Sequence, residues 1–94
     1  MIDTRLVYER LMCKAFNCKR WDYSFVDADF YDAAEKRHPI EYPVYVKCAL
    51  IILLKNGNIN EKELKTAIDQ LEECPTVEKA DTVLLELNEK SILF

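Results

Sequence analysis

One glycine in 94 residues is too few for a chain built of strands. Sandwiches and barrels turn every ~8 to 12 residues and place Gly at many of those turns, so its scarcity points to helices joined by short connections. The same lack excludes a glycine-rich phosphate loop. Histidine is nearly absent too, with His38 alone in the chain. The longest apolar stretch, Val44–Leu54, is interrupted by Lys47 and falls well short of the ~20 residues that a bilayer-spanning helix needs. A chain of 11.1 kDa has room for a single modest core.

Half of the residues are apolar and about a third are charged, a balance that excludes a disordered chain. The net charge is −4, which disfavours binding to nucleic acid through overall attraction. The distribution is polarised: residues 1–20 hold five cations (Arg5, Arg10, Lys14, Lys19, Arg20) against two acids, Asp3 and Glu9, and the acid surplus lies beyond them. The four cysteines, Cys13, Cys18, Cys48 and Cys74, accompany a polar start, Met1-Ile2-Asp3-Thr4-Arg5, that lacks the apolar core of a secretory leader. A reducing, cytoplasmic setting is expected, where unpaired cysteines most often act as small buried apolar residues.

Periodicity predicts helices over about residues 4–20, 25–37, 44–55, 61–74 and 77–90. In the first, Val7, Leu11, Ala15 and Cys18 form a stripe widened by Tyr8 and Met12, with Asp3 as N-cap. The second opens on Ser24-Phe25-Val26-Asp27, buries Val26, Phe30, Ala33 and Ala34, and stops by His38 because Pro39 follows. Its acids (Asp27, Asp29, Asp32) come early and its bases (Lys36, Arg37) late, as the helix dipole favours. Pro43 suits the first position of the third, a nearly all-apolar helix expected to be central and buried, with Asn56-Gly57 as its C-cap. A strand at this place is the alternative, since Val, Tyr and Ile favour strands. The fourth helix has a capping box, Asn60 with Glu63, plus a staple of Ile59 on Leu64, and Leu64, Ala67, Ile68 and Leu71 inward. Thr76 caps the fifth, which turns Val77, Ala80, Val83, Leu84 and Leu87 inward and leaves the tail Ile92-Leu93-Phe94. The expected fold is all-α, one small domain of four to five helices around the 44–55 helix.

Residues that could carry chemistry do not assemble into a known pattern. Gly57 to Glu63 has the spacing of the second half of a calcium loop, but Ile52 and Leu54 stand where the first carboxylates belong. Cys13 and Cys18 sit on different faces of one helix and no Cys-x2-Cys knuckle is present, which argues against zinc. His38 at a helix end is explained by charge capping of that end, without a nucleophile to activate. No catalytic residue, metal or cofactor is expected, and the chain reads as a non-enzyme.

From Val44 onward the order of apolar helix, Asn56-Gly57 turn, capped helix, turn and a last helix running to Leu87-Asn88-Glu89-Lys90-Ser91-Ile92-Leu93 resembles the helix-turn-helix portion of winged-helix regulators. The resemblance implies that the last helix of the set enters a major groove. In this chain that helix carries Glu78, Asp81, Glu86 and Glu89 beside Lys79, a poor match for phosphates.

Two functions follow as expectations. The favoured one is a small intracellular protein-interaction module, a regulator, inhibitor or adaptor, that docks a helix face on another protein or on a second copy of itself. The residues singled out as contacts are Trp21 and Arg20, a pair of types common among interface anchors, together with Arg10, Lys14 and Phe94. Core packing explains Trp21 about as well. The alternative is a helix-turn-helix-like regulator that binds nucleic acid through Arg5, Arg10, Lys14, Lys19 and Arg20 of the basic first helix.

Overall fold

The structure, a computed structural model, describes residues 4–16, 28–57 and 60–90, with residues 28–31 described in their backbone alone. These residues form five helices and no strand: α1 (Thr4–Ala15), α2 (Ala28–Glu35), α3 (Glu41–Lys55), α4 (Glu61–Glu73) and α5 (Val77–Glu89). The all-α expectation holds, and so does the central place of the third helix, since α3 packs against each of the other four. The Cα radius of gyration is 11.9 Å.

One core draws on all five helices. α1 contributes Val7, Tyr8, Leu11, Met12 and Ala15, α2 contributes Ala34, and α3 contributes Tyr42, Val46, Ala49, Leu50 and Leu53. Leu64, Ala67, Ile68 and Leu71 of α4 meet Ala80, Val83, Leu84 and Leu87 of α5 to complete it. Those of α1, α2, α4 and α5 follow the predicted stripes, whereas Tyr42 lies ahead of the predicted start of the third helix. Removing such side chains from water is worth roughly 1.5–3 kcal/mol each for the larger ones, which is why the apolar spacing governs the fold.

Helix boundaries differ from the sequence reading where local chemistry intervenes. α1 was expected to reach Arg20 but ends at Ala15, with Phe16 in a turn that donates its N–H to the Met12 carbonyl at 2.9 Å; Asn17, which favours helix ends over interiors, follows. α2 ends at Glu35 and not at Arg37. Continuing it would drive the Pro39 ring into the Glu35 carbonyl. Arg37 instead adopts a left-handed φ of 50°, and the His38 N–H bonds back to the Ala33 carbonyl at 3.0 Å, closing the helix in a Schellman turn. Lys36 and Arg37 therefore lie beyond the last turn.

α3 starts at Glu41, three residues ahead of the predicted Val44, so Pro43 is its third residue and not its first. A proline is tolerated there because the opening N–H groups have no intrahelical acceptor anyway. The His38 ring supplies acceptors in their place: Nδ1 receives the N–H of Ile40 at 3.3 Å and of Glu41 at 3.1 Å. The ring thus caps the start of α3, a role that the reading of His38 as the end of α2 did not include. The end of α3 is as predicted, with Asn56 as C-cap and Gly57 at φ 78°.

Asn60 occupies the N-cap of α4, yet its side chain does not accept a hydrogen bond from that helix's backbone, so the capping box is not formed. The backbone at φ −97° and ψ 38° is outside the extended conformation that aims a cap side chain at the N3 amide. Thr76 is extended and does cap α5, accepting the Lys79 N–H at 3.1 Å. Cys74 ends α4 one residue later than the helix itself, extended at φ −139° as a residue before proline must be. Asp3, Cys18, Val26, Ile59 and the 92–94 tail lie outside the described residues, as does Phe30's side chain.

Candidate functional site

Two features stand out from an otherwise ordinary helical core, one polar and one apolar. The polar one joins the α2–α3 corner to α5. Its centre is Tyr42, whose ring is 1 % exposed and stacks on Tyr8 of α1 with centroids 5.4 Å apart. The Tyr42 hydroxyl donates to Asp81 Oδ1 at 2.9 Å. Arg37 forms a two-pronged ion pair with the same carboxylate and lies over the Tyr42 ring at 5.8 Å. The left-handed turn at Arg37 is what brings its side chain onto α5.

Protonation at this clasp follows from burial. Desolvation, followed by the neighbouring Tyr42 and Tyr45, pushes the Tyr8 hydroxyl far above the usual tyrosine range. Tyr42 is raised for the same first reason, then by the Asp81 charge and hydrogen bond, with Arg37 and a hydrogen bond to Thr4 opposing. Arg37 is held above its ordinary value chiefly by the hydrogen bond to Asp81. Both phenols stay neutral donors at physiological pH. A cleft of about 330 Å³ opens beside them, lined by Thr4, Arg5, Ala34, Glu35, Arg37 and Tyr42. It presents no nucleophile with a neighbouring base, and the clasp's hydrogen bonds are directed at each other, which is the arrangement of a tertiary tie.

The apolar feature is the outer face of α3. Opposite the buried Tyr42, Val46, Ala49, Leu50 and Leu53 runs a row in which Ile40 is 70 % exposed, Val44 41 % exposed and Cys48 also exposed, continued by the half-buried Ile51. The helix expected to be buried all round is thus buried on one side. Ile40, Val44 and Cys48 follow one another at intervals of four, the spacing that stacks side chains along a helix face. Exposed apolar side chains are ordinary singly; a contiguous row of them marks a contact surface.

The sequence-predicted contact residues that are described lie on α1 and not in this row. Arg10 is exposed and Lys14 half-buried, both on α1, while Trp21, Arg20 and Phe94 lie outside the described residues. Sequence reading missed the α3 row because an apolar run broken only by Lys47 looks the same whether one side or both are covered. It also missed the clasp: Arg37, Tyr42 and Asp81 are 39 to 44 residues apart in pairs with Asp81, so no local pattern links them.

Among the described residues no group of three or more His, Cys, Asp or Glu is placed to hold a metal ion. Against the expected burial of the cysteines, Cys48 and Cys74 are exposed; both are in no disulfide. A shallow cleft of about 240 Å³ between α4 and α5 mixes Lys62, Glu63, Gln70, Glu86 and Lys90 with apolar Ala67, Val83 and Leu87, without convergent catalytic groups. No described helix is long and apolar enough to cross a membrane. Comparison of the chain with protein-family models, with curated proteins and with solved structures found no match.

Proposed function

We propose that this chain is a small, non-enzymatic protein-interaction module that works by docking the outer face of α3. The observation that carries the reading is the exposed apolar row Ile40–Val44–Cys48 on a helix whose other side already completes the core. Apolar area left in water on a helix costs solubility and gains nothing for the fold, so a partner surface is its physical use. Exposed thiols at Cys48 and Cys74 accord with a reducing, intracellular setting, where such groups persist unpaired.

The test is capture of partners by tagged protein at low and high salt, wild type beside Val44→Glu. A protein that co-purifies in stoichiometric amount, survives high salt and is lost with Val44→Glu supports apolar docking through this row. Capture unaffected by Val44→Glu moves the contact elsewhere. The second reading, nucleic-acid binding through α1, draws on the exposure of Arg5 and Arg10. It requires nucleic acid in the eluate, released steeply by salt and abolished by charge reversal at Arg10 and Lys14.

A further inference from the structure

The outer face of α3 carries charge as well as apolar surface, and the two are arranged symmetrically. Glu41 stands seven residues before Cys48 and Lys55 seven residues after it, and all three are exposed. Seven residues are close to two turns, so Glu41, Cys48 and Lys55 fall on one line along the helix. Beside it runs a second line, Val44 and Ile51, which forms the middle of the face. The third line is Ile40, Lys47 and Leu54. The face therefore has an apolar middle, an acid at its start and a base at its end.

We infer that α3 pairs, antiparallel, with α3 of a second copy of this chain, about a two-fold axis passing beside Cys48. The inference rests on the docking reading and names its occupant. Turning one copy about that axis sets Glu41 against the partner's Lys55 at one end and Lys55 against the partner's Glu41 at the other. Val44 and Ile51 of each copy then cover those of its partner, and the two Cys48 side chains meet near the axis. A parallel pairing would instead set the Glu41, Cys48 and Lys55 line against the partner's Ile40, Lys47 and Leu54 line, which leaves Lys55 without a facing acid, and would align the helix dipoles unfavourably. A patch that complements itself under a two-fold rotation is the requirement for a closed dimer.

The size of the face sets the strength. A helix of 15 residues is about 22 Å long, and one pair of helices buries area at the low end of specific interfaces. The two Lys47 residues fall on the same side of the pair and repel. A weak, reversible dimer is the expected state.

Sedimentation equilibrium of the purified full chain in reductant, from roughly 1 to 300 µM, reads this directly by mass action. A monomer–dimer equilibrium is expected within that range. Glu41→Lys and Lys55→Glu, each alone, should weaken it at least about fivefold, since each converts two facing opposite charges into two facing like charges. The double variant Glu41→Lys/Lys55→Glu should restore it, which a variant damaged in folding would not do. A short bismaleimide should join two chains in wild type and in Cys74→Ser, and fail to join them in Cys48→Ser. A strictly monomeric chain, a dimer indifferent to both single reversals, or a double variant that fails to recover would each overturn the pairing. A monomeric chain that still captures a different protein through Val44 would leave the docking reading standing with another occupant. Loss of both would remove the docking reading itself.

Discussion

α3 and α4 are neighbours of similar length, and each buries one side in the same core, yet their solvent sides are unlike. On α4 the exposed positions Glu61, Lys62, Lys65, Asp69, Glu72 and Glu73 are charged and Thr66 is polar, and Glu61 pairs with Lys65 at 2.9 Å one turn on. On α3 the outward positions are Val44 and Cys48, continuing from Ile40 at its N-cap, with charge only at the ends and at the half-buried Lys47. Each helix completes the core from one side, and α4 does so without apolar residues on its solvent side. A helix that only had to fold would look like α4. The difference isolates the part of the sequence that packing leaves unexplained.

The largest effect expected is on the shared inner side. Leu50 of α3 and Leu64 of α4 are both fully buried, so Leu50→Ala and Leu64→Ala should each cost about 3 kcal/mol in urea-induced unfolding, through lost transfer energy plus the cavity left behind. Equal costs would confirm that the two helices contribute alike inside. A Leu50→Ala loss under about 1 kcal/mol would mean that α3 is less tightly held than its burial implies.

Next in size is the clasp that fixes the start of α3. Asp81→Ala removes the acceptor of the Tyr42 hydroxyl and the partner of Arg37 at once. Arg37 is about half exposed, so the ion pair itself contributes little. The buried hydroxyl left without its acceptor dominates, and a loss of about 1–2 kcal/mol is expected. Alkali tests the same groups. Tyr8 and Tyr42 are both raised above the ordinary 10.0 in the folded chain, so the unfolded chain releases those protons first. Stability should be level below pH 10 and fall as pH rises above it toward the folded values. Urea midpoints that stay constant through pH 11 would contradict the burial of both phenols, and Tyr42→Phe should make the decline shallower.

Much of this architecture was legible because apolar spacing is a local signal. The inward residues of α1, α4 and α5 were all readable from period alone, and Thr76 and Gly57 marked their helix ends by side-chain and backbone preferences that need no tertiary context. The candidate site was hardly legible at all. Arg37 read as a dipole-favoured base in the last turn, when Pro39 pushes it out of the helix and onto Asp81 some forty residues away. Asn60 read as a cap because the box spacing was present, while the box also needs an extended backbone at that residue, and Asn60 has φ −97° and ψ 38°. Trp21 drew notice as an aromatic beside an arginine; the row on α3 did not, because an apolar residue announces itself as core until a neighbour fails to cover it.

The smallest expected effect on stability is the most telling for function. Val44→Glu with Cys48→Lys would give α3 an outer side like that of α4, placing an acid one turn ahead of a base on an exposed helix. Such a pair adds about 0.2–0.5 kcal/mol, and neither original side chain fills the core, so the double variant should unfold at the same urea concentration as wild type or slightly higher. The comparison must be made below the concentration at which copies begin to pair, so that pairing adds nothing to the apparent stability. If the variant is instead destabilised by more than about 1 kcal/mol, the row is part of the fold and its exposure has been misjudged. If it is as stable as wild type but loses self-association and capture of partners together, then the apolar row does the one thing that the charged side of α4 cannot do, which is to hold another surface out of water.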